Sequence, residues 1–214
     1  MTAEAAVEEY ILSHIDDEGA LLAELNRDAN VNLLRPRMLS GHLQGRLLKM
    51  FCKMFSPTRV LEIGTYTAYA TLCMAEGIAD DGIIHTIEIN DEMEDFINKY
   101  VSRSPYKDKI KVHFGDAMKI LPKLDETFDM VFIDADKRLY SEYYDLVFPK
   151  VRAGGIILAD NTLWDGKVVE EVVPSDKQTI GILEFNDKIK KDSRVEKVIL
   201  PMRDGLTIIR KKNE

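Results

Sequence analysis

The chain has 214 residues, a length that suits one substantial domain built around a single large core. Its composition is ordinary for a globular protein, and a formal net charge of −8 weighs against a broad nucleic-acid or anionic-membrane footprint. No apolar run approaches the roughly 18 residues of a membrane span. The N-terminal stretch carries Glu4, Glu8 and Glu9 and no basic residue, unlike a secretory or transit signal.

Residues 1–55 read as helical. Val7, Tyr10, Ile11 and Ile15 form an i, i+3, i+4 stripe, and Leu21, Leu22 and Leu25 open a second helix. Pro36 marks a connector, since the residue before a proline is pushed out of the helical region. Ser40 is placed to cap a long helix through Leu43, Leu47, Leu48, Phe51 and Phe55 that Pro57 ends. Cys52 and Cys73 lie in helical patterns without CxxC spacing and read as free buried thiols of a cytoplasmic protein.

From Thr58 the period changes. Short apolar strands are expected at 59–63, 83–89, 110–114, 128–133 and 156–159, the last entered through a Gly154-Gly155 turn. Helical patterns fall between them at 67–76, 91–101, 117–121 and 140–147, and a further helix is expected at 179–190. The tail, 195–200 and 206–209 around Asp204-Gly205, reads as a hairpin and brings an antiparallel edge. The expected architecture is α/β: a Rossmann-like, doubly wound, mostly parallel sheet with a C-terminal edge hairpin and an N-terminal helical segment. One domain spans 1–214, with a helical cap over 1–55 and the α/β core over 56–214.

Ligands of open α/β sheets sit in the crevice beyond the carboxyl ends of the strands. Two strands end there on oxygen-bearing side chains: Ile133-Asp134-Ala135-Asp136-Lys137 and Leu158-Ala159-Asp160-Asn161. Asp134, Asp160 and Asn161 offer only hard oxygen donors, which suits Mg²⁺, Mn²⁺ or Ca²⁺ rather than structural zinc. A turn and helix cap is the plainer reading of Asp160-Asn161. An ammonium beside a divalent cation is electrostatically disfavoured, which suits Lys137 to the role of general base. A surface lysine at a helix start is its plainer reading.

The first strand-to-helix turn, Glu62-Ile63-Gly64-Thr65-Tyr66-Thr67-Ala68-Tyr69, keeps only the first glycine of a dinucleotide fingerprint. Tyr66 and Tyr69 occupy the other two positions, which argues against a bridging diphosphate. Glu88, at the end of the second strand, can accept hydrogen bonds from ribose hydroxyls. Glu62 would repel phosphate and attract an ammonium. A ligand with both a ribose and an amino-acid ammonium is S-adenosylmethionine. Each glutamate also has a purely structural reading; it is their register with Gly64 that favours the ligand.

Taken together, the motifs 61–67, 133–137 and Asp160-Asn161-Thr162-Leu163-Trp164 resemble those of class I S-adenosylmethionine-dependent O-methyltransferases. The similarity is to the cation-dependent catechol and caffeoyl-CoA group, and it runs from about Met38 to Ile209. It implies that Glu62 and Gly64 hold the methionine part of the cofactor, Glu88 the ribose, and Ala117 with Asp136 the adenine side, with Thr65, Tyr66 and Ala70 also lining the cofactor. Asp134, Asp160 and Asn161 would bind the metal, with Asp134 also touching the cofactor and serving catalysis beside Lys137. Ser40 would line the cofactor and metal region, and Met38, Lys137, Tyr140 and Trp164 the substrate, although the two aromatics could equally pack under a loop. The implied substrate is a phenolic or catechol-like small molecule, and the implied assembly a homodimer. The chain departs from the group at Ala68-Tyr69-Ala70, where relatives usually read Gly-Tyr-Ser, and at Glu88, often Asp. Two other readings stay open: a tRNA-modifying O-methyltransferase using Arg35, Arg37, Lys49 and Lys53, and a non-catalytic nucleoside-binding module. His14, His42, His85 and His113 share no spacing and receive no role.

Overall fold

The computed structural model describes residues 3–213, so residues 1, 2 and 214 of the expected domain lie outside the described residues. Seven strands form one sheet: β1 (Arg59–Ile63), β2 (Ile83–Glu88), β3 (Ile110–Phe114), β4 (Phe128–Ile133), β5 (Val151–Asp160), β6 (Val195–Leu200) and β7 (Leu206–Lys211). Their order is β3-β2-β1-β4-β5-β7-β6. The first five are mutually parallel, and β7 runs antiparallel to both β5 and β6. The C-terminal hairpin thus joins the edge through its second strand, leaving β6 outermost. The order reverses direction between β1 and β4, which is where a doubly wound sheet opens its crevice.

Alternation along the strands splits the core in two. Val60, Ile84, Met130, Phe132, Ile156 and Leu158 pack under α2 (Ala20–Asn32), α3 (Gly41–Phe55), α4 (Tyr69–Ala75) and α5 (Glu94–Val101). Leu61, Ile63, Ile87, Val131, Ile133 and Ile157 pack under α6 (Ala117–Ile120), α7 (Tyr140–Val147) and α8 (Lys177–Lys191). Successive strand residues point to opposite faces, so a parallel strand covered on both sides must be apolar at nearly every position. α1 (Ala3–His14) adds a first helix whose Val7 and Tyr10 are exposed, so the apolar stripe there is not buried within this chain. Among the described residues no helix is long and apolar enough to cross a membrane.

Three local expectations are corrected. Ser40 precedes α3 but makes no side-chain cap; its own backbone is already helical, so the hydroxyl is not offered to the free N–H groups. Gly154-Gly155 is not a turn but part of the continuous strand β5. An irregularity in the β4–β5 pairing between Phe128 and Met130 absorbs the glycines, with Gly154 at φ 74°. The helix expected from Thr67 starts only at Tyr69, because Ala68 is left-handed at φ 65°. Cys52 and Cys73 are free and buried, and burial pushes both thiols up to about 12.

Candidate functional site

Ile133 of β4 pairs with Ala159 of β5, so Asp134, just past the end of β4, and Asp160, the last residue of β5, stand side by side. Asp160 is 4% exposed, and burial followed by the neighbouring Asp134 charge raises its carboxyl to about 6. A buried and a half-buried carboxylate at neighbouring strand ends create a demand for positive charge. Lys137, itself buried, answers part of it: Nζ donates to Asp134 Oδ1 at 2.7 Å and to the Tyr140 hydroxyl at 2.8 Å. The Tyr140 hydroxyl sits between the backbone carbonyls of Ile133 (3.2 Å) and Asp160 (3.0 Å). Gln44, fully buried on α3, donates from Nε2 to Asp160 Oδ2 at 2.7 Å. Asn161 is left-handed at φ 58°, and its amide nitrogen lies 3.4 Å from Asp204 Oδ2, so its amide oxygen is the atom that could serve as an acceptor or ligand. Among the described residues no three His, Cys, Asp or Glu side chains gather as a metal site. The all-oxygen set here is two carboxylates and one amide, a composition that fits a hard divalent cation.

On the other side of the crevice Gly64 carries the chain over the Asp134 backbone. At its φ of 98°, a Cβ would stand 2.0 Å from the Asp134 carbonyl oxygen. Glu62, at the end of β1, is fully buried; Oε2 accepts from the hydroxyls of Thr71 and of Thr86 (2.6 Å), and Oε1 has no hydrogen-bond partner among the described residues. Burial raises this carboxyl to about 8, against the pull of the two hydroxyls. An unpartnered buried carboxyl oxygen suits a hydrogen-bond donor, and an ammonium has the matching chemistry. Glu88 fixes the turn, accepting from the backbone N–H of Tyr66 (2.6 Å) and of Asn90 (2.8 Å). Met38, Ser40, Gly64, Thr65, Tyr66, Ala70 and Asp134 line a small cavity beside this turn, together with Leu39, Thr67 and Tyr69.

A family described as O-methyltransferase matches residues 12–212. The chain belongs to the O-methyltransferase family. It is 32% identical over 209 residues to the probable caffeoyl-CoA O-methyltransferase 2 of Dictyostelium discoideum, covering 95% of this chain and 90% of that relative. It is 34% identical over 179 residues to caffeoyl-CoA O-methyltransferase 5 of Nicotiana tabacum, covering 78% and 75%. Among solved structures, the O-methyltransferase TomG of Streptomyces achromogenes in complex with SAM superimposes with a TM-score of 0.92 at 26% identity over the whole of both chains. The Bacillus cereus O-methyltransferase in complex with SAH gives 0.88 at 26% over 97% of each.

In this O-methyltransferase the anticipated residues divide into three groups. Asp134, Asp160, Lys137, Gly64, Thr65, Tyr66, Ala70, Ser40 and Met38 gather at one end of the sheet. Glu62, Glu88 and Ala117 are buried just behind it, and both Asp136 oxygens are engaged by the Arg138 guanidinium, which holds that carboxyl below its usual range. Tyr140, expected at the substrate, is fully buried, with its hydroxyl engaged by Lys137 and two backbone carbonyls, a placement that supports the lysine. Trp164 is half-buried against the α6–α8 core, with an indole N–H that has no hydrogen-bond partner among the described residues. Three contributors went unanticipated: Gln44, Thr71 and Thr86. Gln44 had a legible signal, a polar residue one turn before Leu48 on the apolar face of α3. Thr71 and Thr86 had none, since their role arises only when β2 and α4 flank Glu62.

Proposed function

We propose that this protein transfers a methyl group from S-adenosylmethionine to a hydroxyl of a phenolic or catechol-like small molecule, with a divalent cation at Asp134, Asp160 and Asn161. The observation that carries this reading is the Lys137–Asp134–Asp160 cluster, a buried lysine nitrogen held by Asp134 beside a second carboxylate at the mouth of the crevice. Relatives named for caffeoyl-CoA and neighbours bound to SAM and SAH support the donor and the acceptor class.

The cation would supply Lewis-acid stabilisation of the acceptor oxygen. The chain's own residues do the rest. Asp134, tied to Lys137, orients the Nζ that takes the acceptor hydroxyl's proton as the oxygen attacks the methyl carbon and the sulfur–carbon bond breaks. Tyr140 prevents Lys137 from turning away, because its hydroxyl is anchored to two carbonyls. Glu62 Oε1 receives the ammonium of the donor, and Glu88 offers carboxylate lone pairs to the ribose. Alignment of donor and acceptor is the main contribution expected of such a site. We extend the proposal to a homodimer, supported by the exposed Val7, Tyr10, Met50, Met54 and Phe55 on the helical cap; light scattering tests it.

The direct test is a transfer assay with labelled S-adenosylmethionine against catechols, flavonoids, caffeoyl esters and tRNA, with and without EDTA. Label on a catechol-type acceptor that EDTA abolishes and Mg²⁺ or Mn²⁺ restores is the expected result. Transfer that survives chelation would remove the cation from the mechanism, and label on tRNA alone would replace the substrate class.

A further inference from the structure

Two segments that border the site are held by one short loop, Pro201 to Gly205, between β6 and β7. Its Asp204 accepts at the backbone carbonyl from the N–H groups of Leu163 (2.7 Å) and Trp164 (3.2 Å), and Gly205 accepts from Thr162 (3.1 Å). Arg203, left-handed at φ 50°, sends its guanidinium the opposite way, onto the connector before α3. Nη1 donates to the backbone carbonyls of Leu39 (3.1 Å) and Ser40 and to Gln44 Oε1 at 3.0 Å.

The last contact decides the orientation of the Gln44 amide. Arginine only donates, so the amide oxygen must face Arg203; a carboxylate only accepts, so the amide nitrogen must face Asp160. The observed pair, Oε1 to Arg203 and Nε2 to Asp160 Oδ2 at 2.7 Å, satisfies both. Rotating the amide by half a turn would set oxygen against carboxylate and N–H against guanidinium, two repulsions in a buried place. One Asp160 oxygen is thereby pinned from a residue more than 40 positions away.

We propose that Arg203 is a positioning residue for Asp160, acting through the side-chain amide of Gln44. The proposal rests on the reading of Asp160 as a cation ligand. Partners of ligating groups typically contribute 10- to 100-fold to metal affinity, because they fix the ligand's orientation before the metal arrives.

The test uses the full chain as wild type, Arg203→Ala, Arg203→Lys, Gln44→Leu and the Ala/Leu double variant, with Mn²⁺ titrated by electron paramagnetic resonance and metal-free crystal structures of each. Gln44→Leu leaves the Leu39 and Ser40 contacts in place, so it separates the amide from general support of the connector. The expected result is a weakening of Mn²⁺ binding by about 10- to 100-fold in Arg203→Ala and in Gln44→Leu. The double variant should be no worse than either, Arg203→Lys should recover part of the loss, and the Asp160 carboxylate should be displaced in the crystals. Unchanged Mn²⁺ affinity with Asp160 superimposed on wild type overturns the proposal, as do losses that add in the double variant. If wild type takes up no Mn²⁺, the cation reading fails instead. The crystals then decide alone: a displaced Asp160 supports the positioning role and an unmoved one ends it. If Arg203→Ala does not fold, Arg203→Lys and Gln44→Leu carry the same comparison.

Discussion

Lys137 Nζ lies 2.7 Å from Asp134 Oδ1, an ion pair spanning one turn of chain at the carboxyl end of β4. The lysine is 7% exposed, so its Nζ is held in place by the protein rather than by bulk water. A positioned general base typically contributes about 10² to 10⁴ in rate. Lys137→Ala is therefore expected to lower kcat by about that factor, with the affinity for S-adenosylmethionine retained in a calorimetric titration. Transfer at the wild-type rate in a folded Lys137→Ala would show that the proton leaves by another route.

Gly64 tests the packing that brings β1 and β4 together. A methyl group there would overlap the Asp134 backbone carbonyl, which cannot swing aside as a flexible side chain could, and φ 98° is strained for any L-residue. Gly64→Ala should cost about 3 kcal/mol or more in urea denaturation. A loss under about 1 kcal/mol would mean that the turn relaxes more easily than this geometry implies.

Ala68 is the reverse case. It holds φ 65° with a side chain, a conformation that costs an L-residue roughly 1–2 kcal/mol, of which the extra freedom of an unfolded glycine would take back about half. Ala68→Gly should stabilise the protein by about 0.5–1 kcal/mol, read as a shift in the urea midpoint at unchanged m-value. A destabilised variant would show that the Ala68 methyl, buried in the core, contributes more by packing than it costs in strain.

His85 and His113 form a pH-sensitive pair across β2 and β3. His85 Nδ1 lies 3.0 Å from His113 Nε2, and burial followed by neighbouring positive charge lowers both rings from their ordinary value. Lys111 and Arg59 are the adjacent cations; Glu126, 3.8 Å from His85 Nε2, opposes them. Folding then favours the neutral rings, so their contribution is complete above the unfolded value near 6.5 and is lost as pH falls through the lower folded values. Asp160 and Glu62, whose carboxyls are raised to about 6 and about 8, act with the opposite sign over part of that range. The measurement is therefore a difference: wild type should lose stability relative to a His85→Gln/His113→Gln variant between pH 7 and 5. Parallel curves would refute the assignment.

Much of the site was legible before any coordinates. Strand ends are written in runs of apolar residues that stop at Asp134 and Asp160, and the incomplete glycine turn at Gly64 points to a nucleoside without a diphosphate. Tyr140 was less legible, because an aromatic near a crevice looks the same in sequence whether it faces a ligand or supports a lysine. Ser40 misled for a related reason, since capping depends on one residue's backbone angles rather than on its type.

Periodicity and turn chemistry act within windows of about ten residues, which is enough to read the order of elements, the mostly parallel sheet and the residue types at the strand ends. The meetings of distant groups are legible only in the folded chain: Gln44 with Asp160, Arg203 with Gln44, His85 with His113. Those contacts depend on sheet order and on where the connector and the hairpin loop cross the sheet end. Nothing local encodes them; they follow from how seven strands and their helices share one core.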